Sequence, residues 1–306
     1  MNKFEDEILE YRNHLKNILN YSENTISAYC HDIKDFVFYC SNNNLNSFKE
    51  ISEADIRSYI SKIHRKGMQP KSIQRVLSSL RGFFNYYYKN NKTEKNPALG
   101  VKSPKVSKKL PEILQHEDIN LLASVNLDNS VYKDKFLLKR DTAIFEIFYS
   151  CGLRLTELAM LNISHINFNE SMIRVTGKGR KDRIIPIGKK AIESINNWLL
   201  YRKKIKEIKT DALFLSKNGK RISKRSIQLR LNFLAKASGI EQRLYPHKLR
   251  HTVATHLLES SGNIRAVQEF LGHENVSTTQ IYTHLDNQYL MSVYDKVHPR
   301  SKKNNK

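Results

Sequence analysis

Disulfide chemistry, membrane spans and acidic residues are all in short supply in this 306-residue chain. Its cysteines are three, Cys30, Cys40 and Cys151, an odd number in no metal-ligand spacing. They read as reduced packing residues and exclude a disulfide framework. No apolar run approaches the roughly 18 residues of a membrane span, and no membrane association is expected. The first residues, MNKFEDEILEYRNHL, are acidic and amphipathic. A secretory leader would instead show a basic patch followed by an apolar core, so a cytoplasmic address is expected. No long internal repeat is visible.

The shortage of acid has the largest consequence. Thirty Asp and Glu face 52 Lys and Arg, leaving a formal charge of +22 and a pI near 9.8. Such a surplus suits a polyanionic partner. The first 110 residues hold 19 basic and 11 acidic residues, a net +8, so the remaining +14 belongs to the rest of the chain. Both halves are expected to touch the polyanion, and a nucleic acid is the expected partner, double-stranded DNA among the candidates.

What is present is a helical pattern that switches once. Apolar residues from Phe4 to about Tyr88 recur at helical spacing, with Ile8, Tyr11, Leu15 and Ile18 in one stripe and Tyr29, Ile33, Phe36 and Cys40 in another. Ser22 and Ser52 precede such stripes as capping residues should. A helix over 72–88 would turn Val76, Leu80, Phe83, Phe84 and Tyr87 inward. Tyr86, Tyr87 and Tyr88 read as packing, with no base-stacking role. Asn96-Pro97 ends this bundle, and VKSPKVSKKLP, with two prolines and four lysines, reads as an extended basic linker. The expected domain bounds are 1–101, the helical domain; 102–112, the linker; 113–298, the second domain; and 299–306, a disordered basic tail.

Within the second domain a helix is expected over Asp141 to Tyr149. Then Ile166 to Phe168, Met172 to Val175 and Arg183 to Ile187 are short β-prone runs divided by Asn169-Glu170 and Gly177-Lys178-Gly179. They predict a small antiparallel sheet. From Lys189 to about Asp295 the pattern is again read as helical. The fold class is thus mainly α with one small sheet.

Four segments of this second domain hold chemistry-bearing residues. Arg154 lies in CGLRLTEL, Lys178 in VTGKGRKDRIIPI, His247 and Arg250 in PHKLRHTVATHLL, and His273 and Tyr282 in LGHENVSTTQIYTH. This set, in this order, resembles the tyrosine site-specific recombinases of the phage integrase family. SENTISAY, SIQRVLSSLRGFFNYYY, Asn96-Pro97 and SPKVSKKLPEIL resemble the core-binding domain and linker of Xer-type members, so the likeness covers nearly the whole chain. Asp286 and Tyr294-Asp295, after the tyrosine, resemble the XerC branch more than the XerD branch.

The chemistry explains why such residue types are needed. Breaking a phosphodiester without a metal requires a nucleophile, stabilisation of charge on the nonbridging oxygens and a proton for the departing oxygen. A guanidinium presents a rigid planar fork to phosphate, as Arg154 and Arg250 could. His247 stands three residues before Arg250, on the same face of a helix that Pro246 helps to start. Tyr282 has an ordinary pKa near 10, so it needs cationic neighbours and a base.

The resemblance implies the roles: Tyr282 as nucleophile forming a 3′-phosphotyrosyl bond, Lys178 as general acid, Arg154, Arg250 and His273 on the phosphate, His247 assisting proton removal and Glu157 orienting the others. It also implies an N-terminal SAM-like core-binding domain that closes with the catalytic domain as a clamp on one half-site. Four protomers would act on two sites, homomeric or with a second Xer recombinase, through a Holliday junction. A dif-like site, chromosome-dimer resolution and an FtsK-type translocase belong to the same expectation. No cofactor, metal or ATP is expected. Lys181 competes with Lys178 on the same turn, and Tyr289 and Tyr294 lie outside the histidine-to-tyrosine spacing. His247 and His251 stand four apart as zinc ligands can, but a zincin glutamate is missing and Arg250 intervenes. Other readings are an integrase of a phage or mobile element, a type IB topoisomerase, or a non-catalytic DNA-binding regulator using 263–282 as a helix-turn-helix.

Overall fold

A computed structural model describes residues 3–105, 112–126, 132–177 and 182–272. The chain divides into two compact units, 1–109 and 110–306. No helix among the described residues is long and apolar enough to cross a membrane.

Among its described residues the first unit is built from the α-helices α1 (Lys3–Asn17), α2 (Glu23–Ser41), α3 (Glu53–Arg65) and α4 (Pro70–Lys89). Ser22 caps α2 by accepting the Thr25 N–H, and Ser52 forms a reciprocal capping box with Asp55 at α3. Helix α4 begins at Pro70, two residues earlier than expected, because a proline in the first turn loses no intrahelical bond there. Its residues Val76, Leu80, Phe83, Phe84 and Tyr87 are buried as the stripe required. Phe83 and Phe84 meet Phe48 and Tyr87 edge-on or tilted, with ring centroids 4.6–6.5 Å apart. The first stripe is shorter than it reads: Ile18 is 67% exposed. Helix α1 has already ended at Asn17, and Asn20, at φ +50°, turns the chain away. Val101 is buried against this unit, and Arg81 and Gln74 of α4 donate to the carbonyls of Val101 and Pro104.

The second unit is organised around α6 (Lys135–Cys151), whose last stretch, Ala143 to Cys151, is buried on every side. A helix apolar all round belongs in the centre of a core. Helices α5 (His116–Ala123), α8 (Lys189–Arg202), α9 (Lys224–Ala237) and α10 (Pro246–Ser261) pack around it. The short α7 (Leu155–Ala159) follows it, and α11 (Ile264–Leu271) packs on α10. Strands β1 (Ile166–Asn167), β2 (Met172–Thr176) and β3 (Asp182–Pro186) form an antiparallel sheet in that order, with Val175 opposite Arg183 and Ile173 opposite Ile185. The small sheet expected from the alternation is therefore present. Its anticipated Gly177-Lys178-Gly179 turn falls, from 178 to 181, outside the described residues.

Helix does not continue from Lys189 without interruption. Helix α8 stops at Arg202, and the next described helix starts at Lys224. Between them Ala212 to Leu215 is a buried apolar run, held by isolated bridges from Ala212 to Asn162 and from Leu215 to Arg221. Arg202 donates to the carbonyls of Thr210 and Ala212, which satisfies extended backbone that a helix would have paired internally. Gly219 sits at φ +70°, where a Cβ would meet the Glu207 carbonyl oxygen at 1.9 Å, so the turn requires glycine.

Candidate active site

Two helix ends and one helix start converge in the second unit. Helix α6 ends in Gly152 at φ +57° and α11 in Gly272 at φ +67°, both left-handed caps. Arg250, in the first turns of α10, donates through Nη1 to the Gly152 carbonyl at 2.5 Å and through Nη2 to the Leu271 carbonyl at 2.6 Å. Both acceptors are terminal carbonyls, at the negative ends of their helix dipoles, so the guanidinium is the group those ends call for. Burial, and next the charge of Arg154, push Arg250 down to about 10; Glu157 pulls the other way. It therefore stays charged at neutral pH.

Arg154 is the N-cap of α7 and more than a third of its side chain is exposed. Its Nη1 donates to Glu157 Oε1 at 2.8 Å, and its Nη2 reaches the Gly272 carbonyl at 3.1 Å. The main-chain N–H of Arg154 donates to Glu157 Oε2 at 2.8 Å, so this carboxylate fixes both ends of the arginine. Glu157 is buried, which alone would raise its pKa. Hydrogen bonds from Arg183 and the Arg154 N–H, with the Arg183 charge, outweigh burial and hold it at about 2.

The structure thus brings Arg154, Glu157 and Arg250 together. His247 lies in the first turn of α10, exposed, one turn before Arg250, on the helix Pro246 opens. Gly272 ends α11 at the position immediately before His273, but His273, Tyr282 and Lys178 all lie outside the described residues.

One residue of the cluster escaped the sequence reading. Arg183 donates from Nη1 and Nη2 to the two Glu157 oxygens at 2.8 and 2.9 Å. The available signal was strand alternation: Arg183 shares the inward face with Ile185 and lies opposite buried Val175. A charge at an inward strand position demands a partner.

Residues 112–289 match the Phage integrase family, and residues 8–91 match the Phage integrase, N-terminal SAM-like domain. The chain belongs to the phage integrase family. It is a site-specific tyrosine recombinase of the Xer type, an enzyme of DNA cleavage and rejoining. The tyrosine recombinase XerC of Alcanivorax borkumensis is 48% identical over 250 residues, covering 81% of this chain and 80% of that one. XerC of Pseudomonas fluorescens is 41% identical over 296 residues, 96% of each chain. A crystal structure of the XerH site-specific recombinase bound to palindromic difH substrate covers 94% of this chain and 83% of its own, with 24% identity and a TM-score of 0.70. That likeness establishes that the recombinase fold is shared. The expected fold class, helical with a small sheet and a SAM-like N-terminal domain, is the one found.

Proposed function

We propose that this recombinase acts at a dif-like site, cutting one strand through attack of Tyr282 on a phosphodiester. The bond formed joins the Tyr282 oxygen to the 3′ phosphate, the bond broken releases the 5′ oxygen, and Lys178 supplies the proton that oxygen needs. Because a phosphotyrosyl ester replaces a phosphodiester, rejoining by the reverse attack requires no ATP. The observation that carries the reading is the pair of anchored guanidiniums. Arg154 and Arg250 each have five N–H donors, and among the described residues each spends only two on the protein. Their remaining donors would serve the nonbridging oxygens, in a setting oriented before substrate arrives. His273, directly after Gly272, would add a further donor, and exposed His247 would assist proton removal from Tyr282.

The XerC relatives and the XerH complex with difH support the choice of a dif-like site, and resolution of chromosome dimers is the role proposed for it there. Four protomers, homomeric or paired with a second Xer recombinase, would act on two sites in the cytoplasm at the nucleoid, with an FtsK-type translocase as a candidate partner. The proposed division of the chain is 1–101 and 113–298 as the DNA-binding and catalytic domains, 102–112 as the linker and 299–306 as a disordered tail. A dif-like duplex nicked close to the cleavage point tests the function. Loss of the short fragment beyond the nick should strand the protein covalently on the 3′ end. A regulator would shift the same duplex in a gel and leave no covalent product.

A further inference from the structure

We propose that Arg183 is a positioning residue of the cleavage reaction: it occupies Glu157 at both oxygens so that Glu157 grips Arg154 through only one end of its fork. The inference rests on the role given to Arg154 above, and its test separates the two.

The geometry is that of a competition for one carboxylate. Arg183 bridges Glu157 with two parallel bonds, Nη1 to Oε1 at 2.8 Å and Nη2 to Oε2 at 2.9 Å. Such fork-to-fork pairing is the strongest arrangement a guanidinium and a carboxylate adopt. Arg154 is left with a single side-chain bond, to Oε1, while Oε2 takes its main-chain N–H. Its Nη2 is consequently aimed elsewhere, at the Gly272 carbonyl.

Exposure separates the two arginines. The Arg183 side chain is 14% exposed and that of Arg154 is 37% exposed, so Arg183 is shielded and Arg154 is the one open to an incoming ligand. Arg183 also packs under the α11 cap. A Cβ at Gly272 would meet Arg183 Nε at 3.0 Å, and that buried N–H has no hydrogen-bond partner among the described residues. Among the described residues, the charged groups facing Glu157 are Arg154 at the start of α7, Arg183 on β3 and Arg250 on α10. Without Arg183, the Oε2 edge of a buried carboxylate would lie open to the nearest fork, which belongs to Arg154. A bidentate Arg154–Glu157 pair would then turn the Nη2 edge of the fork from the Gly272 carbonyl towards Glu157, misaligning the donors that cleavage uses. Lysine is no substitute, because an ammonium cannot bridge both oxygens in one plane.

The experiment is single-turnover cleavage of the nicked dif-like duplex by the full chain carrying Arg183→Gln, Arg183→Lys, Glu157→Gln or the double change Arg183→Gln with Glu157→Gln. Half-site binding and thermal melting are followed in parallel. Arg183→Gln and Arg183→Lys should each slow cleavage at least about tenfold while half-site affinity stays within about threefold, since the bidentate pair is lost in both. The double variant should cleave faster than Arg183→Gln alone, because the competing carboxylate is gone. A role in stability alone makes the two losses add and lets lysine restore the rate, and either outcome overturns the proposal, as does Arg183→Gln cleaving within twofold of the unaltered protein. Should Arg183→Gln melt below the assay temperature, Arg183→Lys carries the same test. Arg154→Ala is the control for the underlying reading: if it cleaves normally, the role of Arg154 fails, whatever Arg183 does.

Discussion

The main-chain N–H of Leu114 donates to Thr252 Oγ1 at 3.1 Å, across 138 residues of sequence. This bond is the middle of three. Glu112 accepts from buried Lys248 at 3.4 Å, and the ring of His116 stacks on that of His256 with centroids 4.0 Å apart. Alternate residues 112, 114 and 116 thus meet 248, 252 and 256, one per turn of α10. The match is metric: two extended residues advance about 6.6 Å and four helical residues about 6 Å. The entry to the catalytic unit is in this way zipped along the helix that carries His247 and Arg250. Thr252→Val keeps the volume and strands the Leu114 donor in a buried position. It should lower stability by about 1–3 kcal/mol, read from denaturant unfolding.

The left-handed caps Gly152 and Gly272, beside the carbonyls that hold Arg154 and Arg250, leave little room for a side chain. At Gly152 a Cβ would stand 2.5 Å from Leu271 Cδ2, and at Gly272 it would stand 3.0 Å from Arg183 Nε. Alanine at either position should cost about 1 kcal/mol or more from backbone strain alone. Cleavage should fall further than melting suggests, because each cap also orients an active-site arginine.

Acid should release Glu157 from Arg154 and Arg183 in a defined window. The carboxyl of Glu157 drops from an ordinary 4.5 to about 2 in the folded protein, so its stabilisation is complete above about 4.5. It is lost as pH falls through the folded value near 2, since only the unfolded chain takes up the proton above that point. Unfolding measured across this range should be flatter for Glu157→Gln than for the unaltered protein.

Much of this architecture can be read in the chain because two periods announce it. The stripes of α2 and α4 and the alternation in β2 and β3 are local patterns, and each produced the element expected. The stretch around Ala212 to Leu215 was misread as helix because a short apolar run fits buried strand or helix equally, and the deciding partner, Asn162, is remote in sequence. Arg183 was missed for a similar reason. Its acceptor lies 26 residues upstream, and alternation marks the position as inward without naming the partner there. Arg154, Glu157 and Arg250 were legible as a set through family resemblance, whereas the carbonyls of Gly152, Leu271 and Gly272 that hold the arginines carry no side-chain signature.

Binding should weaken steeply with salt, because lysines and arginines displace counterions from the phosphates. A gel-shift titration from about 50 to 200 mM salt should show a steep negative slope, as expected for a chain of charge +22. A flat response would mean that this charge does not meet the backbone.

Lys178→Ala should slow cleavage by about a hundred- to ten-thousandfold, the range of lost general acid catalysis. A substrate with sulfur in place of the 5′ bridging oxygen leaves as a thiolate and hardly needs the proton, so it should rescue Lys178→Ala. Arg154→Ala and Arg250→Ala should gain much less from it. Rescue of Lys181→Ala instead would move the acid to that neighbour.

The most direct test asks which atom the DNA becomes attached to. Covalent complex trapped on the nicked dif-like duplex can be digested with protease and nuclease, and the nucleotide-bearing peptide sequenced by mass spectrometry. The expected modification is on Tyr282, with Tyr282→Phe binding the duplex and giving no covalent product. Modification of Tyr289, Tyr294 or any other residue, or covalent capture by Tyr282→Phe, would contradict the assignment of the nucleophile.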